Sequence, residues 1–251
     1  MRLVIKQIKR RLFTLLPWRF CGVVYRLATL SWGQARQFRK LQVGRNSYVD
    51  PSVQVVGWKN VSIGCNTTIS EESWFNVNFR ADLTSRIVIG NNCHIGRRNY
   101  FSSGPRIQIK DYGFTGLDCH FLGCGHNIDT PFIPYIASGL SAGGIIEIGV
   151  NCWLATSVTV LQNVRVGCGT VVGARSLVVH DLPPFSIAIG NPCKVIKRFD
   201  FKNNKWVKAD DWTVELDKFM PSEDEYLCCL VENYKDIPLS LIAGSRRFGW
   251  L

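Results

Sequence analysis

Residues 148–183 read IGVNCW LATSVT VLQNVR VGCGTV VGARSL VVHDLP, six successive hexads that place an aliphatic side chain at Ile148, Leu154, Val160, Val166, Val172 and Val178. A fixed spacing of six is neither the helical nor the simple strand period, and marks an internal repeat. Working outward, the same interval recurs at Val43, Val49, Val55 and Val61, at Ile63, Ile69 and Phe75, and at Ile89, Ile95, Phe101 and Ile107. Each hexad then makes a short strand and a corner. The aliphatic residue points inward, and an adjacent Gly, Ala or Ser lets the chain turn at little steric cost. Three hexads close one coil of a triangular prism, and successive coils pair backbone to backbone about 4.8 Å apart. One coil cannot bury its own aliphatic column, so stability comes from stacking coils. A β-sandwich with fortuitous spacing is the alternative, and four separate runs argue against it.

The composition agrees with one sizeable core: 251 residues, 46% hydrophobic and 20% charged, which excludes disordered and collagen-like chains. Thirty Lys and Arg face 19 Asp and Glu, yet the excess sits at one end, because residues 1–49 carry 11 basic residues and no acid. Residues 3–32 interleave Leu, Ile, Val, Phe and Trp with Arg19, Arg26 and Pro17, which spoils any bilayer-spanning window. The pattern predicts a basic amphipathic helical arm, residues 1–42, lying on an anionic membrane surface through residues 1–40, with packing on the body or a sister subunit as the alternative. No nucleic-acid recognition motif accompanies the charge. Ten cysteines occur without a Cys-x-x-Cys pair or a cleavable signal pattern, so they read as reduced thiols of a cytoplasmic chain, with Cys65, Cys93, Cys152 and Cys168 packed inside the repeat.

Pro183-Pro184 ends the repeat, which defines a solenoid domain over 43–200 with an inserted loop at 124–145 and an extension over 201–251. In the extension, Ser222-Glu223-Asp224-Glu225 is a capping box that opens a helix through about Asn233. This acidic tail is a candidate to neutralise the basic arm, and Arg246-Arg247-Phe248-Gly249-Trp250 reads as a second interfacial anchor.

The chain has four histidines, His94, His120, His126 and His180. An imidazole titrates near neutrality and suits general-base work. His126 follows a repeat coil in Gly125-His126-Asn127 and precedes the unrepeated stretch 127–144, where a long insertion in a solenoid points to function. His120 falls one hexad earlier and His94 sits in the repeat itself, both more in keeping with structural roles. A zinc centre of the β-helix carbonic anhydrase type needs three convergent imidazoles. The spacing of these four does not supply them, so no metal is expected.

CHIGRRNYFSS (93–103), LGCGHNID (122–129) and the run from Ile146 to Phe199 ending GNPCKVIKRF together resemble the left-handed β-helix, hexapeptide-repeat acyltransferases of the galactoside, maltose and nodulation O-acetyltransferase type. The resemblance implies a left-handed parallel β-helix, a homotrimer with sites between subunits, and acetyl-CoA as donor. It implies His126 as catalytic base, with Asp129 as a candidate orienting group. It assigns Trp153, Thr156 and Ala174 to the donor groove, Lys194, Lys197 and Arg198 to the CoA phosphates, and leaves His180 as a further candidate there. Arg175 departs from the family, which commonly has Gly, and so either obstructs the donor edge or recruits a phosphate. The implied reaction is O-acetylation of a sugar hydroxyl in surface polysaccharide or glycolipid biosynthesis. N-acetylation of an amino-sugar nucleotide and a non-catalytic β-helix adaptor are the competing readings.

Overall fold

The structure is a computed structural model that describes residues 42–81, 84 and 86–235. The expected arm over residues 1–42, apart from Gln42, which begins the first strand, and the Arg246–Trp250 anchor lie outside the described residues. The described chain winds into three parallel sheets, each strand up to Thr159–Leu161 pairing with the third strand after it, which is the expected β-helix. Face one comprises Gln42–Val43, Val61–Ile63, Ile87–Ile89, Arg106–Ile109, Ile145–Ile148 and Val164–Val166. Face two comprises Tyr48–Val49, Thr68–Ile69, His94–Ile95, Phe114–Thr115, Trp153–Leu154 and Val171–Val172, then Ser186–Ile189. Face three comprises Gln54–Val56, Trp74–Val77, Tyr100–Ser103, His120–Leu122, Thr159–Leu161 and Leu177–Val178.

The aliphatic residues of the six decisive hexads are all 0% exposed. Inward side chains stack in register, Ile63, Ile89, Ile109, Ile148 and Val166 on face one. Face three stacks Phe75, Phe101, Phe121, Val160 and Val178. The first run is weaker than the spacing suggested. Val43 is 37% exposed and Val49 and Val55 are only half-buried, because this coil pairs with described coils on one side only.

Spacing between inward residues is six from face one to two and from two to three at every level up to Val178. From face three to one it varies: Val55 to Ile63 is 8, Phe75 to Ile89 is 14, Phe101 to Ile109 is 8, Phe121 to Ile148 is 27 and Val160 to Val166 is 6. All insertions therefore gather at one corner, and the longest carries His126. At the other corners the residue three after the inward one takes positive φ, as at Asn66, Asn92 and Asn151 or Arg98, Asp118, Ser157 and Arg175. Asn tolerates this region through its short polar side chain, whereas Arg does so at a cost.

Beyond the prism, Lys194–Asp200 and Lys205–Lys208 add an antiparallel hairpin to face two. The helix Glu223–Asn233 forms as predicted, with the complete Ser222/Glu225 capping box. Its Glu223 does not wait for the arm. The carboxylate accepts from Val150 N at 2.9 Å and from Lys110 Nζ, while Tyr226 meets Asn151, so the helix packs on the corner between faces one and two. Of the four cysteines expected inside the repeat, Cys93, Cys152 and Cys168 are buried while Cys65 is only half-buried; Cys119 is buried too, and burial pushes the thiols of Cys93 and Cys152 up to about 12. Among the described residues no helix is long and apolar enough to cross a membrane.

Candidate active site

Two regions collect the residues singled out in the sequence, and they occupy opposite ends of the face-three strands. One is the corner leading from face two into face three. Thr156, Ala174 and Arg175 lie there, exposed, on adjacent coils, with Arg175 N donating to Thr156 O at 2.9 Å. Ser157 N reaches Leu117 O on the coil before, and Leu177 N reaches Gly190 O on the turn after. The edge thus runs continuously from Leu117 through Thr156 and Ala174 to Gly190. Gly116 is required on it by close approach, since a Cβ there would sit 2.8 Å from Thr156 N. Trp153 is 46% exposed on the neighbouring face, its ring stacked on Phe114 at 6.1 Å.

Register extends this edge to the lysines. Trp153 aligns with Val171, Val171 with Ile187 and Ile187 with Lys197, while Lys194 stands opposite Ile189. Both lysines are exposed. Arg198 corrects the expectation of a third cation. Strand alternation turns it to the other side from Lys197. Its guanidinium lies 3.9 Å from the Trp212 ring and 3.3 Å from Asp217, with 12% of the side chain exposed, so the C-terminal extension already holds it. His180 also departs from the donor group: it follows Leu177–Val178 on the corner leading back to face one, and Leu182 bridges to Val166 of that face. The structure therefore brings Trp153, Thr156, Ala174, Arg175, Lys194 and Lys197 to one edge and leaves Arg198 and His180 elsewhere.

The second region is the inserted loop. It leaves face three at Leu122 and enters face one at Ile145, and its neck is closed by main-chain bonds. His126 bridges Leu140 antiparallel, Asn127 N donates to Gly139 O at 3.0 Å, and Ser141 N donates to Gly125 O at 2.9 Å. These bonds fix the backbone of His126 while its imidazole stays exposed. Asp129 turns the chain through its N–H, which donates to Asn127 Oδ1 at 3.0 Å. Among the described residues no hydrogen bond joins its carboxylate to His126. From Thr130 to Ile146 the loop has no charged residue, and Phe132 and Ile136 are 94% and 91% exposed.

Sequence reasoning missed the face between these regions. The outer side of face three carries Trp74 against Tyr100 at 5.1 Å and Tyr100 against His120 at 6.4 Å, beside Asn76 and Asn78. Only register shows that these residues form one aromatic and amide surface. His94 is a packed side chain on face two, tilted on Phe114; burial lowers its pKa to about 4 against the opposing pull of Glu71. Among the described residues no three His, Cys, Asp or Glu side chains converge as a metal site.

No family model matches the chain. A Staphylococcus aureus (strain COL) protein, "Putative acetyltransferase SACOL2570", is 35% identical over 133 residues, covering 53% of this chain and 65% of the relative. "Putative colanic acid biosynthesis acetyltransferase WcaF" of Escherichia coli (strain K12) is 29% identical over 157 residues, covering 62% of this chain and 68% of the relative. The chain is a homologue of these named acetyltransferases. It spans less than two thirds of the staphylococcal relative's length. In fold it is similar to AntD, an N-acyltransferase from Bacillus cereus, solved as a point mutant in complex with dTDP and coenzyme A. The TM-score is 0.56 at 18% identity, covering 79% of this chain and 97% of that one.

Proposed function

We propose that the chain is an acetyl-CoA-dependent O-acetyltransferase acting on a sugar hydroxyl in surface polysaccharide or glycolipid biosynthesis, with His126 as general base. The observation that carries this is the pairing of a pinned, exposed imidazole on the longest insertion with an open edge of backbone and lysines. Support comes from homologues named as acetyltransferases, one of them for colanic acid biosynthesis. Backbone groups at Thr156 and Ala174 line the pantetheine arm, Trp153 flanks it, and Lys194 and Lys197 meet the CoA phosphates. Arg175 stands beside Ala174 and recruits a donor phosphate.

In the reaction, His126 takes the proton of the acceptor hydroxyl as its oxygen attacks the thioester carbonyl. The tetrahedral intermediate collapses with loss of the CoA thiolate, and the imidazolium returns the proton to that sulfur. His126 and Thr156 lie beyond opposite ends of the face-three strands, and in a homotrimer neighbouring copies would bring one chain's loop to the next chain's edge. The aromatic and amide face lies where the acceptor would rest. Peripheral attachment of the chain to a membrane would bring it to a lipid-held acceptor.

The test uses glycan from cells lacking this protein as acceptor and labelled acetyl-CoA as donor. His126→Ala is expected to lower turnover by about 10² to 10⁴ with donor affinity unchanged. Retained turnover refutes the assignment. Base-labile label identifies an ester, and base-stable label would identify the amide of the competing N-acetyl reading.

A further inference from the structure

The antiparallel hairpin that continues face two sets two lysines directly against each other. Lys197 stands opposite Lys208, an arrangement that holds Cβ atoms about 5 Å apart and in which like charges repel. Among the described residues neither of them, nor Lys194, forms a salt bridge. The acids around the hairpin do not relieve the pair. Asp200 is buried and accepts from Lys202 N at 2.9 Å and Asn203 Nδ2 at 2.7 Å, and Asp217 holds Arg198. Asp210 and Asp211, in the turn after Lys208, form no salt bridge among the described residues.

Alternation decides what shares this side of the hairpin. Lys197 and Lys208 project together with the facing pair Phe199 and Trp206, whereas Arg198, Asp200 and Lys205 project from the opposite side. Trp206 is 40% exposed, and its ring meets Phe199 edge-on at 5.3 Å and 74°, so it is braced while part of it stays open. Lys194, opposite Ile189, lies nearest the donor edge; the lysine pair, in line with Ile187, comes next, and Trp206 is farthest along. Trp206 and Lys208 are two residues apart on one strand, about 7 Å. An anion between facing lysines removes their repulsion, and an open indole accepts a flat base. A purine and the 3′-phosphate of its ribose span that same interval.

We propose that Lys197 and Lys208 clasp the ribose 3′-phosphate of coenzyme A and that Trp206 stacks on its adenine, with the pyrophosphate left to Lys194 and Arg175. This rests on the acetyl-CoA-dependent reading above and extends it. Lys208 supplies the third cation that Arg198 does not, from a strand that the family resemblance does not cover. The clasp makes free acetyl-CoA the donor, because a phosphopantetheine arm carried on a protein has neither the adenosine nor the 3′-phosphate.

The test is calorimetric titration of the full-length protein with coenzyme A and with dephospho-coenzyme A, which lacks only the 3′-phosphate. With two lysines on that phosphate, the wild type should prefer coenzyme A by about 100-fold, and Lys208→Gln should cut the preference by about tenfold. Lys208→Arg should retain it, and so should Lys205→Gln, which removes a lysine from the opposite side of the same strand. Trp206→Ala should weaken both ligands alike by about tenfold. A preference unmoved by Lys208→Gln, or moved as much by Lys205→Gln, overturns the clasp. Affinities unmoved by Trp206→Ala overturn the place of the adenine. A wild type that binds neither ligand would overturn the acetyl-CoA reading itself, and the clasp with it, whereas binding without preference would overturn the clasp alone.

Discussion

Replacing Phe101 by Ala tests the solenoid where its levels are joined most tightly. Phe75, Phe101 and Phe121 occupy successive levels of face three. Phe101 stacks on Phe75 at 4.5 Å and 14°, and on Phe121 at 4.6 Å and 8°, with none of its own surface exposed. Deleting a buried Phe side chain costs about 3–5 kcal/mol, because the walls of the void collapse only in part. The column loses two ring contacts at once, each of about 1 kcal/mol, which places the cost near the top of that range. Against a total stability of roughly 5–15 kcal/mol this is a large share.

The assay is equilibrium urea unfolding followed by far-UV circular dichroism. Phe114→Ala is the control, since that ring is 43% exposed on the outer side and its removal should cost about 1 kcal/mol or less. Phe101→Leu, which keeps most of the volume but neither stack, should fall between the two. A loss below about 1 kcal/mol for Phe101→Ala would refute the argument that these rings form one closed column. The effect should also reach activity, because Phe121 ends the column in the strand from which the His126 loop departs.

Two further outcomes follow from charges and contacts near the site. Burial opposes charge on Lys110, but the hydrogen bonds it donates to Glu147 and Glu223 outweigh it and raise its pKa above 10.5; burial likewise opposes Glu147, and Lys110 and Arg165 outweigh it and hold its pKa below 4.5. The stability Glu147 contributes is therefore present above 4.5 and lost as pH falls through its lower folded value, while that of Lys110 is present below 10.5 and lost as pH rises through its higher one. Lys110→Met should accordingly flatten the acid limb of melting temperature against pH, and an unchanged limb would contradict the coupling. Gly116→Ala would press a methyl group on the rigid backbone at Ala155 and Thr156, at 3.0 and 2.8 Å, costing about 1–3 kcal/mol and weakening acetyl-CoA binding about tenfold by calorimetry. Destabilisation with unaltered donor affinity would detach Thr156 from the donor edge.

Most of the prism was legible because its signal is strictly periodic: a side chain buried every six residues cannot be mistaken for a helix or a meander. The runs restart after Val61, Phe75 and Ile107, and the structure gives the reason, since every added residue enters at the corner between faces three and one. The capping box located the helix start from Ser222 and Glu225 alone, as it depends on local geometry. The hairpin was not legible. Its strands have no repeat, and whether Lys197 and Arg198 point together or apart depends on alternation within a strand that composition does not announce. The Trp74–Tyr100–His120 ladder was hidden for another reason: its members lie 26 and 20 residues apart, and only insertions of 8 and 2 residues at the variable corner bring them into register. A strict period would have misaligned them.

The division of labour among the three corners constrains how the proposed enzyme can work. The corner between faces one and two is covered by the chain's own Glu223–Asn233 helix, tied down through Val150, Lys110 and Asn151. The corner between faces two and three is kept short at every described level up to Val178, so it presents a straight edge, as a long thin donor requires, with Gly96, Gly116, Ala155 and Gly173 opening successive turns. The corner between faces three and one takes every insertion, and so can grow a loop without bending that edge. Separating the constant edge from the variable loop lets acceptor chemistry change while donor contacts persist. It also means that His126 and Thr156 of one chain stand at opposite ends of a strand. If His126 is the base and Thr156 lies on the donor groove, as proposed, neighbouring copies set edge to loop would bring the two together. Mixing inactive His126→Ala chains with chains disabled at the donor edge should then restore a fraction of sites, an outcome that sites built within single chains could not produce.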